Sequence, residues 1–262
     1  MKKALIIVDV QPTFCEGGEL GVAGGNAVAE RIADYVNAHR GEYEYIATTQ
    51  DWHIEPGSHW SEQPDYVDTW PVHGKAGTPG AELHPAIAAL HVEHHFKKGQ
   101  YSPSYSGFEG YEDNTDSIPS REQVASDMAT GRTLAVALES AGIECVDVVG
   151  LAESHCVKET ALAARKLGLE VHVIENLTEP VSEELGIAAR RHMLSAGVIL
   201  DSFLEEWDNE WRRDCSAGVF MRWCGAFRRV KSPPMGRLRL WPERHATRVL
   251  SAMPCIRILS RV

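Results

Sequence analysis

The chain has 262 residues, 44% apolar and 24% charged. This suits one large soluble domain, or one and a half, with a proper core, and excludes a disordered, collagen-like or disulfide-dense chain. The net charge of −11 is uneven: residues 1–210 hold 35 Asp and Glu against 14 Lys and Arg (−21), and residues 211–262 hold 2 against 12 (+10), so the body excludes nonspecific nucleic-acid binding, which needs cations for phosphate.

In chain order, Met1-Lys2-Lys3 followed by Ala4–Val8 imitates a signal peptide. Asp9 interrupts it after five apolar residues, short of the roughly 7–15 such a segment needs. The reading is a first buried strand in a cytoplasmic protein. A helix is predicted over Ala27–Arg40, then strands over Tyr45–Thr49 and His91–His95. Helix Gly131–Ala141 leads to strand Cys145–Gly150, helix Ser154–Leu167 to strand Glu170–Ile174, and helix Ser182–Ser195 to strand Val198–Leu200. Gly41, Gly142, Gly168 and Gly197 stand where helices should close on a left-handed residue. Ala4–Val8 and Val146–Val149 are mostly continuous Val, Ile and Leu, as in a parallel sheet covered on both faces. The alternation predicts a three-layer, doubly wound α/β domain: a mostly parallel sheet with helices on both faces and right-handed crossovers.

Residues 51–86 and 99–130, rich in Gly, Pro, Ser, His and Trp, break the rhythm. Loops leaving the C-terminal ends of parallel strands build sites. No apolar run nears the ~18 residues of a membrane span. Six cysteines without a Cys-x-x-Cys pair make no disulfide framework.

The same strand ends carry the reactive side chains. Asp9 ends the first, Asp51 and His53 the second, Lys97 and Lys98 the third, and Cys156 follows the fourth by a short turn. Cys156 has two readings. At a helix N-terminus the partial positive charge and free N–H groups favour a thiolate and could hold an oxyanion. A lone Cys is more often a small buried apolar residue. Cys145, inside a strand pattern, takes the second reading, and Cys15 stays open. Asp9 would be partly desolvated and its pKa raised, with a nearby Lys opposing. Asp51-Trp52-His53 puts two ligand-type side chains on one strand face, with His59 and His73 in the following loop. That set suits zinc, iron or manganese with positions left open, although spacing alone does not decide between a metal and structural histidines. His94 and His95 could line the pocket, but their spacing selects no metal.

Seven segments in order carry a resemblance. They are Leu5–Gln11 with Phe14–Gly18; Thr49–His53 with Pro56–His59; Thr69–His73; Gly77–Ala81; Lys98-Gly99; Tyr105–Phe108; and Val148–Val157. Over residues 3–200 the chain resembles the nicotinamidases of the isochorismatase-like cysteine hydrolase family. The resemblance implies a catalytic triad of Asp9, Lys98 and Cys156, with Lys98 preferred to Lys97 because it directly precedes the Gly. It implies metal ligands Asp51, His53 and His73, with His59 as a fourth, and pocket aromatics Phe14 and Trp70. It implies a cis peptide before Ala152 and an oxyanion hole from the N–H groups of Ala152 and Cys156. The implied activity is metal-dependent hydrolysis of nicotinamide to nicotinate and ammonia through a Cys thioester, with pyrazinamide also accepted. One divalent ion (Zn, Fe or Mn) is implied, with no organic cofactor. A homo-oligomer is compatible with it.

Alternatives are a family amidase acting on a ureido or carbamoyl group, which would lack the Asp51, His53 and His73 set, and a non-catalytic α/β binding protein, which would need a damaged triad. Two departures from the family stand out. Asp113–Thr130 is longer than its bacterial pattern, as a surface insertion or an oligomer contact. The basic, Arg-, Trp- and Cys-rich tail resembles nothing in the family. The expected division is a hydrolase domain over residues 1–209 and a tail over 210–262 outside the core. The tail suits out-of-frame or read-through translation, or else a basic segment that binds anions.

Overall fold

The computed structural model describes residues 1–201; the tail assigned from residue 210, and the boundary before it, lie outside the described residues. Seven strands, β1 (Lys3–Val8), β2 (Tyr45–Asp51), β3 (His94–Lys98), β4 (Tyr111–Glu112), β5 (Cys145–Leu151), β6 (Glu170–Glu179) and β7 (Ile199–Asp201), form one sheet in the order β4-β3-β2-β1-β5-β6-β7. Every pairing is parallel except β3 with β4. The direction of winding reverses at β1, so β1 and β5 flank the switch point where doubly wound sheets open a crevice.

Both faces are covered, as the unbroken apolar strands require. Leu5, Ile7, Val149, Leu151 and Ile174 pack with Val28, Ile32 and Val36 of α1 (Gly25–His39). The alternate positions Ile6, Val8, Val146, Val148 and Val173 pack on the other face. Their partners are Leu134 and Leu138 of α4 (Leu134–Ala141), Ala161 and Ala164 of α5 (Lys158–Lys166), and Met193 of α6 (Glu183–Ser195). Two further helices, α2 (Pro85–Ala88) and α3 (Arg121–Ala129), lie in the long loops.

Several boundaries differ from expectation, each for a physical reason. The third strand is His94–Lys98 and not His91–His95, because His91 turns with φ +50°. Its HHFKK sequence hides a strand because the polar residues find buried partners. Gly41 does not close α1 in the left-handed region; a 3-10 turn over Arg40–Glu42 continues past the helix. The helix expected from Gly131 begins at Leu134, after Thr133. The helix expected from Ser154 begins as a π-helical turn, Glu153–Val157, and becomes α-helical only from Lys158. Within 99–130, β4 pairs antiparallel with β3, and α3 buries none of its residues, so its polar sequence carries no periodic stripe to read.

Candidate active site

The site is assembled at the C-terminal ends of β1, β2, β3 and β5. Asp9, just past β1, is fully buried and adopts φ +47°, a conformation non-glycine residues rarely hold unless the surroundings impose it. Here the surroundings do: its N–H donates to the Thr49 carbonyl at 3.1 Å, and its Oδ1 accepts from Thr49 Oγ1 at 2.6 Å. Lys98 ends β3, also fully buried. Its Nζ lies 3.0 Å from Asp9 Oδ2, donates to Asp51 Oδ1, and stands 3.8 Å from Cys156 Sγ. Carboxylate oxygens of Asp9 and Asp51 and the Cys156 sulfur all lie within 4.8 Å of one another.

The electrostatics of this cluster set burial against one shared cation. Cys156 sits in the π-turn and is buried. Burial pushes its thiol well above the ordinary range; Lys98 opposes this, and the Asp9 and Asp51 carboxylates reinforce it. The charge of a helix start is therefore set against burial and two carboxylates at this sulfur, with Lys98 on its side. Burial raises Asp9, with Lys98 opposing and Asp51 adding to the rise, as anticipated. Burial also works against Asp51, but Lys98 and the imidazoles of His53 and His73 outweigh it and hold that carboxyl far below the usual range. Lys98 stays a cation: burial favours its neutral form, and Asp51, Asp9 and Cys156 more than compensate.

Asp51 faces a second cluster with its other oxygen. His53 Nε2 lies 3.6 Å and His73 Nε2 3.9 Å from Asp51 Oδ2. The Nδ1 of His53 donates to the Gly99 carbonyl and that of His73 to the Pro71 carbonyl. A carbonyl only accepts, so Nδ1 carries a proton in each ring, and Nε2 is the nitrogen left to face Asp51 and an ion. Ring nitrogens of His53, His59 and His73 lie within 4.8 Å of one another. The buried His53 Nε2 and His59 Nδ1 have no hydrogen-bond partner. Burial and the neighbouring imidazoles hold His59 at about 4, which keeps its nitrogens free as ligands. Three imidazoles and an ionised carboxylate, with two buried ring nitrogens that have no hydrogen-bond partner, fit a divalent transition metal. Gly99 shows how tightly the backbone wraps this cluster: at φ +75°, a Cβ there would lie 2.4 Å from His53 Cε1.

Above both clusters lies a cavity of about 290 Å³, lined by Phe14, Asp51, His59, Trp70, His73, Tyr105, Ala152, His155 and Cys156 among others. Phe14 and Trp70 are two of its aromatic walls. Tyr105 and His155 had been assigned no role. The Trp70 indole N–H donates to the Tyr105 hydroxyl at 2.9 Å, and the His155 ring meets Trp70 edge-on at 5.4 Å. Both residues lay inside matched segments, the one signal that could have raised them. The Leu151–Ala152 peptide is cis.

Other candidates fall outside. Lys97 points to the opposite side of β3, over the Trp52 ring at 3.6 Å, and donates to the Thr115 carbonyl. His94 pairs with Glu112 and His95 with Thr48, and neither lines the cavity. Alternation along β3 sends Lys98 inward and its neighbour away. Cys145 is buried in its strand, and Cys15 is core, its thiol pushed up to about 11 by burial and Glu16.

The fold and site define a doubly wound α/β domain with a buried Cys, Asp and Lys cluster beside a candidate metal-ligand set. Residues 3–202 match the Isochorismatase domain, and the chain belongs to that family. It is 43% identical over 198 residues to the nicotinamidase/pyrazinamidase of Mycobacterium tuberculosis, covering 76% of this chain and 97% of that protein. Among solved structures it is similar to the pyrazinamidase of Pyrococcus horikoshii in complex with zinc, with TM-score 0.60, 29% identity, and 78% and 100% of the two chains covered. It is also similar to PnC1 of L. infantum in complex with nicotinate, with TM-score 0.60, 33% identity, and 77% and 92% covered. Among the described residues no helix is long and apolar enough to cross a membrane.

Proposed function

We propose that this chain is a metal-dependent nicotinamidase that hydrolyses nicotinamide to nicotinate and ammonia and also accepts pyrazinamide. The observation that carries the reading is the junction at Lys98, which joins the Asp9 and Cys156 pair to Asp51 and the three imidazoles beneath one aromatic-walled cavity. The 43% identity to a nicotinamidase/pyrazinamidase supports it.

Phe14 and Trp70 enclose the pyridine ring. Asp51, His53, His59 and His73 hold a divalent ion, with zinc favoured by the donor set and by the zinc-bound relative; when bound, it supplies a Lewis acid for the ring nitrogen. Asp9 takes the thiol proton of Cys156, and the sulfur attacks the carboxamide carbon. The N–H groups of Ala152 and Cys156 receive the oxyanion. Asp9 returns the proton to nitrogen and ammonia leaves. Water, deprotonated by Asp9, then attacks the thioester carbon, the C–S bond breaks, Asp9 returns the proton to the Cys156 sulfur, and nicotinate leaves. Lys98 stays protonated throughout and keeps two buried carboxylates compatible at close range. The domain doing this is residues 1–209, with residues 210–262 no part of the chemistry, and the setting is cytoplasmic. The test is ammonia release from nicotinamide against benzamide, which lacks the ring nitrogen. Equal turnover of both would reject a reading in which the ring nitrogen is recognised.

A further inference from the structure

The turn that carries Cys156 is gripped from behind. Glu153, 1% exposed, accepts two hydrogen bonds from Arg190 Nη1 on α6, at 3.1 and 2.8 Å. The other arm of the same guanidinium, Nη2, donates to Glu183 at 3.0 Å. One residue on, Ser154 Oγ accepts the Val181 N–H at 3.2 Å. The π-helical turn Glu153–Val157 is therefore tied at two consecutive residues to α6 and the segment before it. Glu153 sits between Ala152 and Cys156, yet it is not among the residues lining the cavity. The reaction proposed above does not use it.

Stability alone is a poor account of this arrangement. A Glu is rarely buried unless paired, and a buried ion pair often contributes no more than well-packed apolar residues of the same volume. A π-turn lacks the regular i to i−4 ladder that holds an α-helix, so its shape depends on outside contacts. Oxyanion donors and a nucleophile act only when both are aimed at one reacting carbonyl, and small misplacements are costly in rate.

We propose that Glu153 and Arg190 are positioning residues: their ion pair locks the π-turn so that Cys156 Sγ and the N–H groups of Ala152 and Cys156 address the same carbonyl. This rests on the amide hydrolysis proposed above. The groups assigned to ground-state binding, Phe14, Trp70 and the metal ligands, lie on other segments, and the turn with the residue before it adds only Ala152, His155 and Cys156 to the cavity wall. Loss of the lock therefore acts on kcat and spares KM.

The test uses the full-length, metal-loaded enzyme and the variants Glu153→Gln and Arg190→Lys. Glu153→Gln lowers kcat about tenfold or more, with KM for nicotinamide within about twofold. Arg190→Lys keeps the charge but cannot serve Glu153 and Glu183 at once, and it retains an intermediate kcat. Nicotinaldehyde is a second probe. The Cys156 sulfur bonds to its carbonyl carbon, the C=O π pair moves to oxygen, and the thiol proton ends on that oxygen. Its inhibition should weaken in step with kcat/KM while nicotinate binding stays unchanged, because only the adduct needs the aligned donors. If kcat in folded Glu153→Gln stays within twofold of wild type, or if kcat, KM and nicotinate binding all worsen together, the positioning role is wrong. A wild-type enzyme that releases no ammonia from nicotinamide would sink the functional reading and this one with it. Unaltered variants of an active enzyme would sink only this one.

Discussion

Lys98 donates to Asp51, and the pair stands where two clusters of buried side chains meet. On one side Lys98 Nζ lies 3.0 Å from Asp9 and 3.8 Å from the Cys156 sulfur; on the other, the second oxygen of Asp51 faces His53 and His73. Cys156 and the three-imidazole cluster share a cation and a carboxylate.

Replacing the nucleophile should separate chemistry from folding. Cys156→Ala is expected to lower kcat by at least about 1,000-fold. Its melting should stay within the range of a change of about 1 kcal/mol, since the side chain removed is small. A variant retaining a tenth of wild-type turnover would show that no thioester forms on Cys156.

The two adjacent lysines should behave oppositely. Lys98→Ala leaves Asp9 and Asp51 buried without their cation, and breaking such a cluster costs about 3–5 kcal/mol; turnover should be lost and the melting point lowered. Lys97→Ala removes a cation from the Trp52 ring on the other side of the strand, at about 0.5–2 kcal/mol, with kcat preserved. Activity and melting measured on both variants would reveal a wrong assignment if Lys97→Ala proved the inactive one.

Metal removal should injure substrate binding before it injures the sulfur, but only through some ligands. His53→Ala should raise KM steeply while iodoacetamide still labels Cys156. Asp51→Ala should damage both readouts, because Lys98 loses its partner as well. Labelling lost in His53→Ala with secondary structure intact would mean that the metal activates the nucleophile.

The far end of the sheet should add a pH-dependent contribution to stability. His172 Nδ1 lies 2.5 Å from Asp201 and Nε2 3.0 Å from Glu170. Burial lowers its pKa, but the hydrogen bonds to Asp201 and Glu170, with Asp147 nearby, leave it raised. A folded-state pKa above the unfolded one means stabilisation fully present below about pH 6.5 and lost as pH rises through the folded value. Urea unfolding of wild type and His172→Gln should differ more at pH 5.5 than at pH 9. A gap that widens with pH would contradict the ion-paired imidazolium.

A chain ending at Asn209 should remain folded and active. Every assigned site residue lies between Asp9 and Cys156, and the described sheet ends at Asp201. Melting and ammonia release compared for residues 1–209 and 1–262 check this; a truncated chain without activity would place the domain boundary elsewhere.

The sequence by itself determined the layered α/β architecture, because continuous apolar strands such as Ala4–Val8 are stable only between two covering layers. It also determined which residues stand at the sheet's C-terminal edge, since the ends of parallel strands share one edge. It could not find β4 or α3: a two-residue strand has no period, and a helix that buries nothing needs no apolar stripe. It left two readings open for Cys156, because a local argument about a helix start does not include the burial and the two carboxylates that only the folded chain brings near. The links from Lys98 to Asp51 and to Asp9, and the hold of Arg190 on Glu153, join residues 47, 89 and 37 positions apart in the chain. Such contacts depend on strand order, register and pleat, quantities set by global packing and absent from any local stretch of sequence.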